Sequence, residues 1–245
     1  GKNGARWLPV RFPAVYAADV FKTLARSNGI VLKRAEIVDQ VPEGQVLVST
    51  ESDLLVPMMI DMLKYSTNLT AEMTGLSASV AEGVPVSGLI GSGARMSLWA
   101  IQKYGIGDLK FSDHSGLGYD SAISPLSMAK ILQENDGISV LLKPVNLSVS
   151  KSRPAPNGVE VKAKTGTLNF VSSLAGFVTT KSGRKLCFSI LTADTLRRDA
   201  IPPEQRERPR GAKSWSRRSR QLQKELIRSW ADRYDGELVG RKAVD

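Results

Sequence analysis

Three runs between residues 159 and 192 carry the two-residue alternation of half-buried strands: 159–163, 174–180 and 185–192. Lys181-Ser182-Gly183-Arg184, between the last two, has the composition of a hairpin turn, so adjacent antiparallel strands are expected here. A helix cannot accommodate this pattern, because alternation would scatter the apolar residues around its circumference. Within the segment 161–168 stands Lys164-Thr165-Gly166. It reads as an edge strand built to hold a carboxylate. The ammonium and hydroxyl supply a charge and a directed hydrogen bond, while Gly166 removes a side chain that would block a peptide lying alongside.

The chain before this segment is helical in pattern. Leu54, Leu55, Met58, Met59, Met62 and Leu63 follow helical spacing, Ser52 or Asp53 can cap the helix, and its end reaches Ser66. Asn68 begins another helix, running through Met73 and Leu76 to a break at Gly83-Val84-Pro85. Further helices are expected over 92–104 and 125–134. Residues 215–234 carry Leu222, Leu226, Ile227 and Trp230 on one face, suited to packing on the sheet. Residues 1–48 read differently, as a Pro/Val-rich loop and strand, an amphipathic helix over 17–27, and apolar runs at 29–32 and 45–48. The expected fold class is α+β, an antiparallel sheet flanked by helices, in a unit of 49–245 preceded by the end of another domain over 1–48.

A chain of 245 residues, 42% of them apolar, can bury one good core. It has no apolar run of about 18 residues that could span a bilayer. The start, Gly1-Lys2-Asn3-Gly4-Ala5-Arg6, has neither an initiator Met nor the apolar core of a signal peptide, which reads as a chain lacking its native beginning. A single cysteine, Cys187, excludes an intrachain disulfide and is expected as a small buried apolar residue. With one His and one Cys a Cys/His zinc site is not expected, and no calcium or phosphate-binding loop is visible. The formal net charge of +10 is concentrated between residues 197 and 220, among prolines and with few aromatics suited to base stacking. That favours a tail facing solvent or an anionic surface over a nucleic-acid site.

Upstream of Lys164-Thr165-Gly166 lies Ser66-Thr67-Asn68. Ser-x-Asn alone is weak, since it arises by chance about once in a chain this long, whereas Lys-Thr-Gly is expected in only roughly a few per cent of such chains. Between the two stands Asp113-His114-Ser115-Gly116-Leu117, followed by Ser124-Pro125 and a helix. This order resembles the penicillin-recognising serine enzymes, and the loop resembles the Asp-Gly-Ser-Gly-Leu loop of D-alanyl-D-alanine carboxypeptidase/endopeptidases. Those are the class C low-molecular-mass penicillin-binding proteins, peptidase S13-like. His114, Gly118 and Ser121 depart from the family's usual Gly, Ser and Asn.

The resemblance implies a β-lactamase/DD-peptidase-like transpeptidase fold, incomplete here on its N-terminal side, with residues 1–48 ending an inserted accessory domain. It implies hydrolysis of the D-Ala-D-Ala terminus of peptidoglycan stem peptides through an acyl-serine, with β-lactams as covalent inhibitors of the complete enzyme. A periplasmic location and a reaction without metal or organic cofactor are also implied. Carried over by residue, Ser66 relays a proton to the leaving amine and Asn68 hydrogen-bonds the substrate amide. Lys164 stabilises negative charge, Thr165 binds the terminal carboxylate beside Gly166, and the Thr167 N–H contributes to an oxyanion hole.

The family's nucleophile lies in a Ser-x-x-K motif before Ser-x-Asn. Ser127/Lys130, Ser148/Lys151 and Ser182/Lys185 match the spacing but follow it, so the nucleophile segment is expected to be absent from this chain. His114 beside Asp113 suggests no triad, because adjacent side chains rarely form one. Two alternatives stay open, a catalytically inactive peptidoglycan-binding or scaffold module and a β-lactamase. A nucleic-acid binder is the weakest.

Overall fold

The structure, a computed structural model, describes residues 10–40, 42–83, 85, 87–207 and 209–235. The opening of the expected N-terminal loop and strand, residues 1–9, lies outside the described residues. Two compact units divide the chain, Gly1–Glu51 and Ser52–Asp245. In the first, helix α1 (Pro13–Ser27) begins four residues before the expected start, because Pro13 enters with a helical φ and no N–H to leave unpaired. The apolar runs at 29–32 and 45–48 form no strand, and Val46, Leu47 and Val48 are exposed. A strand needs a neighbour for its backbone groups, and among the described residues of this unit none pairs with these runs.

The second unit opens with α2 (Leu55–Tyr65). Neither Ser52 nor Asp53 caps it. The Ser52 hydroxyl turns to the Asp53 carbonyl (3.1 Å), and Leu54 occupies the cap position without a side-chain hydrogen bond. The helix stops at Ser66, which is left-handed, and α3 (Asn68–Ala81) follows at once. Next come α4 (Gly88–Tyr104), the two-stranded ribbon β1 (Leu109–Lys110) and β2 (Ala122–Ile123), and α5 (Pro125–Glu134). Ser124 caps α5 by accepting from the Ser127 N–H (3.0 Å), and Pro125 fills the first turn. Ala100, Tyr104, Ile106 and Leu109 bury a small core between α4 and the ribbon.

A 3-10 turn, Asp136–Leu141, leads to the main sheet of β3 (Glu160–Leu168), β4 (Val171–Thr179) and β5 (Lys185–Ala193), antiparallel in that order. Alternation assigns its two faces. Val161, Ala163, Leu174, Val178, Phe188 and Ile190 form one core with Ile227 and Ala231 of helix α7 (Ala212–Arg233), which lies behind the sheet. On the other face Phe177 packs with Leu132 and Leu142, joined by Leu63, Met128 and the partly buried Cys187. The sheet is thus sandwiched between helices, an α+β arrangement. Gly176 is required at this crossing, because a Cβ there would stand 2.2 Å from the Lys162 carbonyl oxygen.

β3 and β4 run further toward each other than the alternation predicts, leaving Asn169-Phe170 as the whole connection. Phe170 accepts a positive φ of 58° although only 1% exposed. Its ring is buried with Ile201 and Ala212, meets Trp215 edge-on and lies beneath the Arg197 guanidinium. The basic stretch 197–220 is therefore not a tail. It holds a short helix, α6 (Thr195–Asp199), a 3-10 turn and the first turns of α7. Arg198 donates to the Asn169 carbonyl (3.0 Å) and the Asn169 amide to the Arg206 carbonyl (2.6 Å), bracing the β3–β4 hairpin.

Candidate active site

Three separate parts of the second unit meet at one cleft of about 360 Å³, lined by Ser66 and Asn68, by Ser115, Gly116 and Leu117, and by residues 164–168 of β3. Its first wall is the α2–α3 junction. Ser66 ends α2 at φ 57°, ψ 50°, a conformation that costs an ordinary residue roughly 1–2 kcal/mol. That reversal places Ser66 and Asn68 on either side of the corner.

The second wall is the edge of β3. On its inner side Thr165, Gly166 and Thr167 are in register with Leu174, Ser173 and Ser172 of β4. The outer side is divided. The Ala163 N–H donates to the Lys143 carbonyl (3.1 Å) and the Val145 N–H to the Val161 carbonyl (2.9 Å), so the segment at 143–145 covers the first half of the strand. From Lys164 onward the edge faces the cleft, where an extended peptide can add as a further strand. Gly166 matters on the inner side too, since a Cβ there would stand 2.3 Å from the Ser173 hydroxyl, and Ser173 itself lines the cleft.

Lys164 joins these two walls. Its Nζ donates to the Ser66 hydroxyl (2.5 Å) and to the Thr165 carbonyl (2.8 Å). Half-buried, it has its pKa lowered from the usual lysine value, first by loss of solvation and then by the like charge of Lys143. The cation is therefore poorly neutralised and suited to an incoming carboxylate.

The loop 113–118 is the third wall. Asp113, 9% exposed, accepts from the N–H groups of Gly116 (3.1 Å) and Gly118 (2.5 Å) and from the Ser121 hydroxyl (3.2 Å). The departures from the family pattern now have a local cause. A Cβ at Gly118 would lie 2.3 Å from the Ser112 hydroxyl, and Ser121 bonds both Ser112 and Asp113. His114 points away from the cleft wall into the packing of α3 and α4, its Nε2 2.7 Å from the Ser92 hydroxyl.

Ser127 stays out of the cleft. It is 4% exposed and its hydroxyl donates to Asp108. The residues that sequence reading missed are Glu72, Ser92, Lys143 and Ser173; the first three are tied to the site through partners far away in sequence, and Ser173 through the register of β4 on β3. Among the described residues no three His, Cys, Asp or Glu side chains converge as a metal site, and no helix is long and apolar enough to cross a membrane. A larger cavity of about 610 Å³ lies elsewhere, between α5, the 3-10 turn and the lower sheet, with Asp136, Glu160, Lys162 and Lys185 on its walls. Its charges are mixed and it holds none of the three motifs, so the smaller cleft is the candidate site.

Comparison with known proteins shows the family. Residues 2–209 match the model of the D-Ala-D-Ala carboxypeptidase 3 (S13) family, and the chain belongs to that family. It is 30% identical over 190 residues to the D-alanyl-D-alanine carboxypeptidase DacB of Haemophilus influenzae, covering 71% of this chain and 39% of that protein. It is 27% identical over 201 residues to the carboxypeptidase DacB of Mycolicibacterium smegmatis, covering 72% and 42%. The chain thus spans about two-fifths of the length of these relatives. Among solved structures, penicillin-binding protein 4 (dacB) of Haemophilus influenzae, complexed with a β-lactam, superposes with a TM-score of 0.64 at 23% identity, over 89% of this chain and 52% of that one. That likeness is one of fold.

Proposed function

We propose that the second unit is the carboxylate-binding part of a serine D-Ala-D-Ala carboxypeptidase, with or without endopeptidase action, working on peptidoglycan stem peptides in the periplasm. The observation that carries this reading is the contact of Lys164 with Ser66, which closes the Lys-Thr-Gly strand onto the Ser-x-Asn corner around one cleft. A stem peptide adds along the open half of β3. Its terminal carboxylate meets Thr165 and the Lys164 charge, its amide meets Asn68, and the Thr167 N–H faces the carbonyl oxygen under attack. An acyl-serine forms as the C–N bond to the terminal D-Ala breaks, and Ser66 relays the proton to the departing amine. Water then releases the shortened peptide. On this reading the nucleophile comes from a segment outside this chain, and residues 1–48 end an accessory domain inserted into the catalytic one.

Intact mass after incubation with a penicillin tests the proposal. The encoded full-length protein is expected to gain one covalent adduct and this chain none. An adduct on the chain alone would place the nucleophile at Ser127, Ser148 or Ser182, and none on either would leave a binding module.

A further inference from the structure

Glu72 stands four residues after Asn68 on α3, one turn along the same face. Both of its carboxylate oxygens are engaged: Oε2 accepts from the His114 N–H (3.1 Å) and Oε1 from the Ser115 N–H (3.1 Å). Two successive backbone amides of the loop are thus held by one side chain of the helix that begins with a cleft residue. A carboxylate is suited to this work, since it offers two coplanar acceptors and its charge strengthens each bond.

The other side of the same loop is plugged by His114. Its Nε2 lies 2.7 Å from the Ser92 hydroxyl, which is itself 2.7 Å from the Ser79 hydroxyl, and its Nδ1 lies 3.4 Å from the Met96 sulphur. Ser79 and Ser92 are 5% and 0% exposed, so this polar chain is internal. The ring occupies space that only glycine leaves, because a Cβ on Gly75 would stand 2.1 Å from its Cγ. Gly93 of α4 performs the matching service for the backbone, where a Cβ would stand 2.7 Å from the Asp113 nitrogen. The loop is fixed at His114 from both helices, and Ser115, Gly116 and Leu117 beyond it line the cleft.

The structure assigns to Glu72, working with His114, the role of a positioning residue that holds the Ser115–Gly116–Leu117 wall at a set distance from Asn68. This rests on the penicillin-reactive reading of the cleft. Glu72 touches no substrate and acts through the loop backbone. Its loss frees two amides in a part-buried place and lets the wall move relative to the Ser-x-Asn corner, which misplaces a substrate held between them.

Two measurements on the same variants test this. Backbone amide exchange is read in this chain, and the rate of covalent labelling by a fluorescent penicillin in the full-length protein. Glu72→Ala is expected to raise exchange at His114 and Ser115 by about tenfold or more and to slow labelling by a similar factor. Glu72→Gln, which keeps one acceptor oxygen but turns an N–H donor toward the second amide, should recover only part of both losses. Glu82→Ala, which breaks the exposed pair with Arg95 at the far end of α3, should change neither. Unchanged exchange in Glu72→Ala would overturn the clamp. Faster exchange with wild-type labelling would overturn the positioning role alone. A wild-type protein that takes no label would overturn the parent reading, and the role resting on it, whatever the exchange shows.

Discussion

Lys164 is a cation kept short of compensation. Burial and the neighbouring Lys143 lower its pKa, so the ammonium that a substrate carboxylate requires is lost at a lower pH than for an ordinary lysine. Affinity for a D-Ala-D-Ala-terminated peptide should therefore be present at neutral pH and fall as pH rises through the lowered value. Lys143→Met removes the like charge and should move that fall to higher pH, as followed by calorimetric titration across the alkaline range. An unmoved midpoint would contradict the assigned cause. Stability has the opposite sign. Between the lowered folded value and the unfolded one the unfolded chain binds the extra proton, so folding gains stability as pH rises through that window. Lys164, Thr165, Ser66 and Asn68 were legible in the sequence because each sits in a short motif. Glu72 and Lys143 were not, since their partners lie 42 and 20 residues away and no local pattern announces a carboxylate that caps another segment's amides.

At the level of elements, the cleft depends on how firmly α7 backs the sheet that carries Lys164. Hydrogen bonds such as those of Gln223 to Ser172 help to hold it, and two further contacts differ in kind. Ile227 and Ala231 are 0% and 1% exposed against Val161, Ala163 and Leu174, whereas Arg153 and Glu225 form a bidentate pair whose side chains are 53% and 32% exposed. Deleting a fully buried aliphatic side chain costs about 2–5 kcal/mol, while an exposed ion pair contributes about 1 kcal/mol or less. Apolar burial should dominate. In urea denaturation Ile227→Ala is expected to lose about 3 kcal/mol and Arg153→Ala less than about 1 kcal/mol. Equal losses would mean that the ion pair anchors the helix.

The elements themselves were mostly readable. β3, β4, β5 and α7 follow from periods of two and 3.6, and the turn at 181–184 from its Ser-Gly pair. Their ends were less so. β3 and β4 extend to Leu168 and Val171 because the buried Phe170 ring stabilises a left-handed turn residue that sequence preference disfavours. The apolar runs at 29–32 and 45–48 form no strand for the converse reason, having no partner among the described residues.

Across the whole molecule, among the described residues, cavity size and cavity chemistry point in different directions. The larger, about 610 Å³, is walled by carboxylates and lysines together, whereas the cleft of about 360 Å³ gathers an open strand edge, an undercompensated lysine and a braced loop. Only the second offers a cation and backbone groups directed at the end of an extended peptide. Much of the formal charge of +10 lies in the brace behind the β3–β4 hairpin and along α7, outside both lining sets. Charge therefore locates the site less well than geometry does.

Titrating the isotope-labelled chain with a D-Ala-D-Ala-terminated peptide, and following every backbone amide by NMR, shows whether the cleft at β3 binds that terminus. Shifts concentrated at Asn68, Ser115, Gly116, Thr165, Gly166 and Thr167 are predicted. Shifts concentrated instead around Asp136, Glu160, Lys185 and Cys187, or none at saturating peptide, would contradict that binding.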